Sequence, residues 1–371
     1  MMEEVNEAAP ALSLHPHSIK VSEVLKDGDS ITFLVVSQKV SGEGEHHVIR
    51  TYSDFEWLQY HLVTQEEDAP GMEGVIFPPL PQKAQSNASA KALRQLGILG
   101  LVQWQPYCKG LEIFLQQVAA HSTLSKVATV EQFLTSLDPP GKQRLSRSIF
   151  SRLSHAVAER RREGHKDVDE FFQTERDHNI LLAECTKAAV QSFLDLVLTE
   201  QKLAVAYGHF SAALQVFVEP GDDPDKQAFT KTCVKLSEVF DSMKKSMTNV
   251  YENNVNTIGL GLDVDSRYQE AEKEMLFKRT CKLVNMEQAR RNAEKAKPAK
   301  KEAMEEAKHA AEDSFDRISE VARVEIKHLH AVRLEILQKS LIHWCEKQLE
   351  TAKETAELFE QHLQAFKELA E

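Results

Sequence analysis

The side chains of this 371-residue chain that could ligate, react or recognise are two histidine pairs, five cysteines, one acidic pair and several basic runs. A metal centre needs three or four donors brought to one point, and His46-His47 and His328/His330 are read as lacking the carboxylate or cysteine partners of such a site. No metal is expected, and the scattered histidines are expected at the surface. The cysteines (Cys108, Cys185, Cys233, Cys281, Cys345) are odd in number with no CxxC pair, which argues against a disulfide framework and fits a reducing, cytoplasmic compartment. Asp263-Val264-Asp265 lacks the further oxygens of a calcium loop. A glycine-rich phosphate loop and a GxSxG elbow are both absent. The reading is therefore of a protein that binds, not an enzyme, with no cofactor.

Charge distribution says what it could bind. A net charge of −12 argues against nucleic acid, which demands a basic face. Attraction to an acidic surface has to come from local runs. The first is Lys142 to Arg162, where Leu145, Ile149, Phe150, Leu153 and Val157 recur at helical spacing among Arg144, Arg147, Arg152, Arg160, Arg161 and Arg162. A basic amphipathic helix of this kind suits insertion at a membrane surface, with Arg147, Ile149, Phe150, Arg152 and Leu153 making the contact. A solvated linker helix packing its apolar stripe on a neighbour is the plainer alternative. No apolar run approaches the roughly 20 residues that cross a bilayer, and the acidic Met1–Pro10 stretch has no leader-peptide pattern. Membrane contact would be peripheral.

The elements that must position these groups divide the chain. Residues 1–16 read as disordered. From residue 17, short apolar runs (Ile31 to Val36, His47 to Arg50) are separated by Lys26-Asp27-Gly28-Asp29 and Ser41-Gly42-Glu43-Gly44, predicting a small antiparallel meander. Helical texture begins at Ser53-Asp54, with Phe55, Leu58 and Leu62 on one face, and returns over Gly110 to His121 and Val130 to Leu137. Phe77-Pro78-Pro79-Leu80-Pro81 must be extended, and Asp138-Pro139-Pro140-Gly141 ends this first domain. Beyond it, prolines fall only at 220, 224 and 298, which predicts helices over 166–217, 225–297 and 299–369. Two helices of about 100 Å cannot bury themselves and need each other or a second chain. Leu334, Leu337, Leu341 and Trp344 mark a seam in the third, and Gly259 and Gly261 predict a bend in the second.

Arg50-Thr51-Tyr52-Ser53-Asp54-Phe55, then Phe77-Pro78-Pro79-Leu80-Pro81-Gln82-Lys83, then Lys109-Gly110-Leu111-Glu112-Ile113-Phe114-Leu115 resemble, in order, the motifs of a PX domain over 17–138. The resemblance implies an α+β fold, a small three-stranded antiparallel sheet with helices, and a pocket for a membrane phosphoinositide. Tyr52 keeps the family's ring-stacking position and Lys83 its lysine position, while Thr51 stands where the phosphate-binding arginine belongs and Tyr107 where a second arginine belongs. Arg50, Tyr52 and Lys83 are the candidate pocket residues. A threonine offers one neutral hydrogen bond in place of a bidentate, charge-assisted pair, so weak or altered lipid specificity is expected.

The region 166–369, behind an amphipathic helix at 142–163, resembles the all-α BAR domain of PX-BAR sorting nexins, a three-helix antiparallel coiled coil. The matching residues are Asp167-Val168-Asp169-Glu170-Phe171-Phe172, Leu276-Phe277-Lys278-Arg279, Phe315-Asp316-Arg317-Ile318-Ser319-Glu320 and Gln338-Lys339-Ser340-Leu341-Ile342, closest to the sorting nexin five, six and thirty-two subgroup. That subgroup is known for lacking the phosphate arginine. The resemblance implies dimerisation, with itself or with another PX-BAR sorting nexin, and curvature sensing on early endosome membranes and tubules in retrograde, endosome-to-Golgi transport. It also implies a membrane face at the arm tip, where Lys278, Arg279, Lys282, Arg290, Arg291, Lys295, Lys297, Lys300 and Lys301 cluster, with Lys295, Lys297, Lys300 and Lys301 as the contacts. Cargo-receptor tails are a further implied partner. The stretch Ala84 to Pro106 is shorter than the subgroup's cargo-binding hairpin, and only Leu93-Arg94-Gln95-Leu96-Gly97 resembles its first part. The alternative is a cytosolic protein scaffold whose pocket binds no phosphoinositide and whose PPLP segment serves an SH3-type partner.

Overall fold

The computed structural model describes residues 14–27, 30–40, 44–68, 72–81, 104–140, 164–216 and 224–370. Three strands, β1 (Lys20–Asp27), β2 (Ser30–Gln38) and β3 (Glu45–Thr51), form an antiparallel meander in the order β1-β2-β3. Helices α1 (Tyr52–Asp68), α2 (Trp104–Ala120) and α3 (Ala128–Thr135) cover it. Phe33, Val35 and Val48 alternate to the inner face of the sheet, as a period of two requires, and are buried. They meet Phe55, Leu58 and Leu62 from α1, Leu111, Phe114 and Val118 from α2, and Phe133 from α3. Phe55 lies edge-on to Phe33 and Phe133, with ring centroids 6.1 and 5.1 Å apart.

The rest is helix: α4 (Glu170–Gln215), α5 (Pro224–Asn254), a π turn (Val255–Gly259), α6 (Leu260–Glu294) and α7 (Lys301–Ala370), the last 70 residues long. The start of α4 explains its Asp-Val-Asp-Glu-Phe-Phe run. Asp169 Oδ1 accepts the Phe171 amide at 2.9 Å and caps the helix. Asp167 and Asp169 receive Arg279 of α6 and Arg323 of α7. The same guanidiniums lie over Phe172, at 3.5 Å, and Phe171, at 4.4 Å. One short run therefore anchors three helices. No helix among the described residues is long and apolar enough to cross a membrane.

The described chain divides into two compact units. The first holds the sheet, α1 to α3, the start of α4 up to Cys185, and Val264–Arg333. The second holds Thr186–Asp263 and the chain from Leu334 onward. In the second, Leu194, Val197 and Val255 form a core cluster, and where a bend was expected the second helix has a π turn closing at Gly259. Trp344, expected in an apolar seam, donates its indole N–H to Asn254 Oδ1 at 2.8 Å. Gln348 shares that oxygen at 2.6 Å, and the Asn254 amide donates to Glu200 at 2.9 and 3.0 Å. A buried polar layer thus interrupts the apolar seam, and such layers fix helix register.

Candidate functional site

Arg50, near the end of β3, is fully buried. Its Nε and Nη2 donate to the Phe133 carbonyl at 3.0 and 2.8 Å, Nη2 also to the Ser136 carbonyl at 2.5 Å, and Nη1 to the Ile49 carbonyl at 2.9 Å. Phe133 lies in the last turn of α3, where carbonyls have no partner within the helix, and a cation there also opposes the negative end of the helix dipole. Arg50 is a fastener between β3 and α3, and is withdrawn from the candidate lipid pocket: its donors are engaged and solvent does not reach it. Burial lowers its pKa, with Asp54 pulling the other way.

Thr51 is held by an acid. Its backbone N–H and its hydroxyl both donate to Asp54 Oδ2, at 2.7 and 2.8 Å, forming the reciprocal half of a capping box at the start of α1. At the position where the resemblance places a phosphate-binding arginine, the structure has a hydroxyl whose proton points at a buried carboxylate. That arrangement repels an anion.

The Tyr52 ring is covered by a second aromatic ring. Tyr107, itself 3% exposed, stacks on it with centroids 6.3 Å apart and planes at 28°, and packs against Phe33 at 5.9 Å. The Tyr52 hydroxyl donates to the Pro81 carbonyl at 2.6 Å. Burial, and secondarily the Glu56 carboxylate, push its phenol well above the ordinary tyrosine range. A positive charge near this ring comes from α6: Arg267 Nη1 donates to the Pro79 carbonyl at 2.7 Å. Position in the sequence gave no hint of that, since 188 residues separate the two. Lys83 lies outside the described residues, as do Arg147, Ile149, Phe150, Arg152 and Leu153.

The proline-rich loop is a joint. The Ile76 amide donates to Glu325 Oε2 of α7 at 3.2 Å, and Glu73 pairs with Lys282 of α6 at 2.9 Å. Gly74, at φ +92°, lies so close to α7 that an added Cβ would sit 2.7 Å from the Ile318 carbonyl. His121 Nδ1 accepts the Thr123 and Leu124 amides at 3.2 Å each, so its proton is on Nε2, which faces Glu325 at 3.0 Å. His121 is thus a core residue and not the surface histidine expected. Buried against these helices, Ile76 and Pro78 are not presented to an SH3-type partner, which removes that part of the scaffold alternative.

The expected basic cluster also divides. Arg279 is buried against Asp167, Lys282 bridges Glu73 and Ser314, and Arg290 pairs with Glu312. Lys295, Lys297, Lys300 and Lys301 are exposed around the turn between α6 and α7, and none forms an ion pair among the described residues. In the second unit, α4, α5 and α7 expose large apolar side chains, including Phe210 (48%), Phe229 (60%), Leu334 (56%), Ile342 (61%) and Leu349 (58%).

Comparison with known proteins agrees with both halves. A PX domain family model matches residues 38–137. Sorting nexin-32 of Mus musculus is 26% identical, covering 95% of this chain and 93% of its own length. Sorting nexin-6 of Homo sapiens is 25% identical over 92% of this chain and 89% of its own. Among solved structures, the SNX-BAR protein Mvp1, determined as a tetramer by cryo-electron microscopy, covers 93% of this chain with a TM-score of 0.55 at 14% identity. The chain carries a PX domain over residues 38–137, is homologous over most of its length to sorting nexins-32 and -6, and is built on the fold of an SNX-BAR.

Proposed function

We propose that this protein is a non-catalytic adaptor of endosomal sorting that acts as a dimer at curved membrane, in the retrograde route from endosome to Golgi. The observation that carries this reading is the row of exposed Leu, Ile and Phe side chains on α4, α5 and α7 of the second unit, in a homologue of sorting nexins. Apolar surface of that extent on long helices is a partner's footprint, and helix pairs of this kind bury more area than transient contacts do. Its partner is a second copy or another PX-BAR sorting nexin. Lys295, Lys297, Lys300 and Lys301 serve as the membrane contact, each contributing about 1 kcal/mol near an anionic leaflet, and the stretch 142–163, read from its sequence as amphipathic, adds an apolar anchor.

Phosphoinositide specificity belongs elsewhere. A carboxylate behind Thr51 and a tyrosine covering Tyr52 favour a pocket that binds phosphoinositide weakly or not at all. Such a chain depends on charge, curvature and its partner to find early endosomes from the cytoplasm, and cargo tails would be met by other surfaces.

Co-sedimentation of the full chain with small anionic vesicles at two salt concentrations tests the reading. Binding should fall several-fold between 50 and 300 mM salt, because exposed charges are screened over about 8 Å at physiological ionic strength. It should depend on total anionic charge and not on which phosphoinositide is present. No binding to vesicles of any composition, with a PX-BAR partner present, would leave the cytosolic scaffold as the better account.

A further inference from the structure

We propose that Glu175 of α4, Glu272 of α6 and His330 of α7 form a binding site for a divalent cation of the zinc type, tying three helices of the first unit together. Their donor atoms all lie within 4.8 Å of one another. His330 Nε2 is 3.5 Å from Glu175 Oε2 and 4.0 Å from Glu272 Oε1. Tetrahedral zinc, with bonds of about 2.0–2.2 Å, holds its ligands roughly 3.4 Å apart, so the triad needs to close by about one ångström.

Three further observations point to an ion and not to a chance meeting of side chains. Glu175 Oε2 is sealed from solvent and accepts no hydrogen bond among the described residues, a costly state for a carboxylate oxygen that a cation removes. Glu272 is 2% exposed, and its two oxygens are differentiated. Oε2 accepts from Asn179 Nδ2 at 2.9 Å, while Oε1 is turned toward His330. Asn179 is fixed in turn by the Gln269 carbonyl at 3.2 Å, the orienting partner that metal-binding carboxylates characteristically have.

The surrounding charge permits a cation. Arg333 stands 3.9 Å from Glu272 Oε2, but its guanidinium bonds Asp265 at 2.6 and 3.2 Å, so its charge is already met by another carboxylate. His330 is 41% exposed, which leaves a path from solvent and room for a water ligand. One imidazole and two carboxylates select zinc or a neighbouring transition ion over magnesium or calcium, which require more oxygens. The site is independent of the membrane and dimer roles proposed above.

The test uses the full chain, stripped with chelator and then loaded with zinc chloride, beside His330→Ala and Glu175→Gln. The wild type should retain one more zinc per chain after gel filtration than either variant, and its Tm should rise by several degrees with zinc while theirs do not. Reading the difference between chains cancels zinc held by cysteines and other histidines. Glu175→Gln keeps the side chain's shape, so it serves if His330→Ala lowers the metal-free Tm. Equal zinc content and equal thermal response in all three chains would overturn the proposal and leave His330, when protonated, as a bridge between two carboxylates.

Discussion

Arg50 and Thr51 are neighbours in the chain with opposite fates, and the difference is where their donors go. Arg50 reaches carbonyls 83 and 86 residues away, and no spacing rule announces a backbone acceptor at that distance. Arg50→Met keeps much of the volume but strands the Phe133 and Ser136 carbonyls in the core. Bonds to charged donors contribute roughly 1.5–3 kcal/mol each, so thermal unfolding should show a loss of about 3 kcal/mol or more, with α3 released first. A variant as stable as wild type would mean that water replaces the guanidinium. The resemblance pointed to Thr51, Tyr52 and Tyr107, and the structure stacks the last two on one another. The Asp54 carboxylate under Thr51 was not read from the sequence, although it lies three residues on, in the first turn of α1. His330 was read as having no ligand partners because its two carboxylates lie on other helices, a proximity that only folding creates.

At the scale of elements, periodicity and proline placement were sufficient for most of the architecture. Short apolar runs between turn clusters marked the strands, and the prolines at 220, 224 and 298 separated helices within a few residues of their observed ends. The proline-rich loop was foreseen as extended, but not its role as a joint, because a loop's partner is a tertiary fact. Gly74 is the residue that permits the joint, having both the left-handed backbone and no side chain between itself and α7. Gly74→Ala should cost about 1–3 kcal/mol from the backbone conformation alone, with the clash against the Ile318 carbonyl added. Limited proteolysis should then cut the 72–81 loop faster than in wild type. The Asn254 layer escaped the sequence for a related reason: coiled-coil spacing identifies which residues face inward, and says nothing of whether they meet an apolar or a polar neighbour.

For the whole molecule, composition bounded the answer and surface distribution refined it. A net charge of −12 coexists with a local group of exposed lysines, so the total alone is a poor guide to membrane affinity. The apolar seam on α7 was legible through Leu334, Leu337 and Leu341, and the structure leaves these side chains 56%, 38% and 39% exposed in the single chain. Leu337→Asp with Leu341→Asp places two charges where a partner helix would desolvate them. Sedimentation equilibrium should show the double variant as a monomer at concentrations where wild type, alone or with its PX-BAR partner, is a dimer. A dimeric double variant would mean that another helix face makes the contact.

The joint at residues 72–81 also bears on how the protein can be dissected. Cutting the chain after residue 140 would uncover Ile76 and Pro78 and leave His121 without its carboxylate, since Glu325, Tyr268 and Leu329 on the helical side would be gone. A fragment trimmed in this way carries a fresh greasy scar beside the very pocket it is meant to report on. Adhesion of such a fragment to lipid would measure the scar, and only the uncut chain measures the pocket.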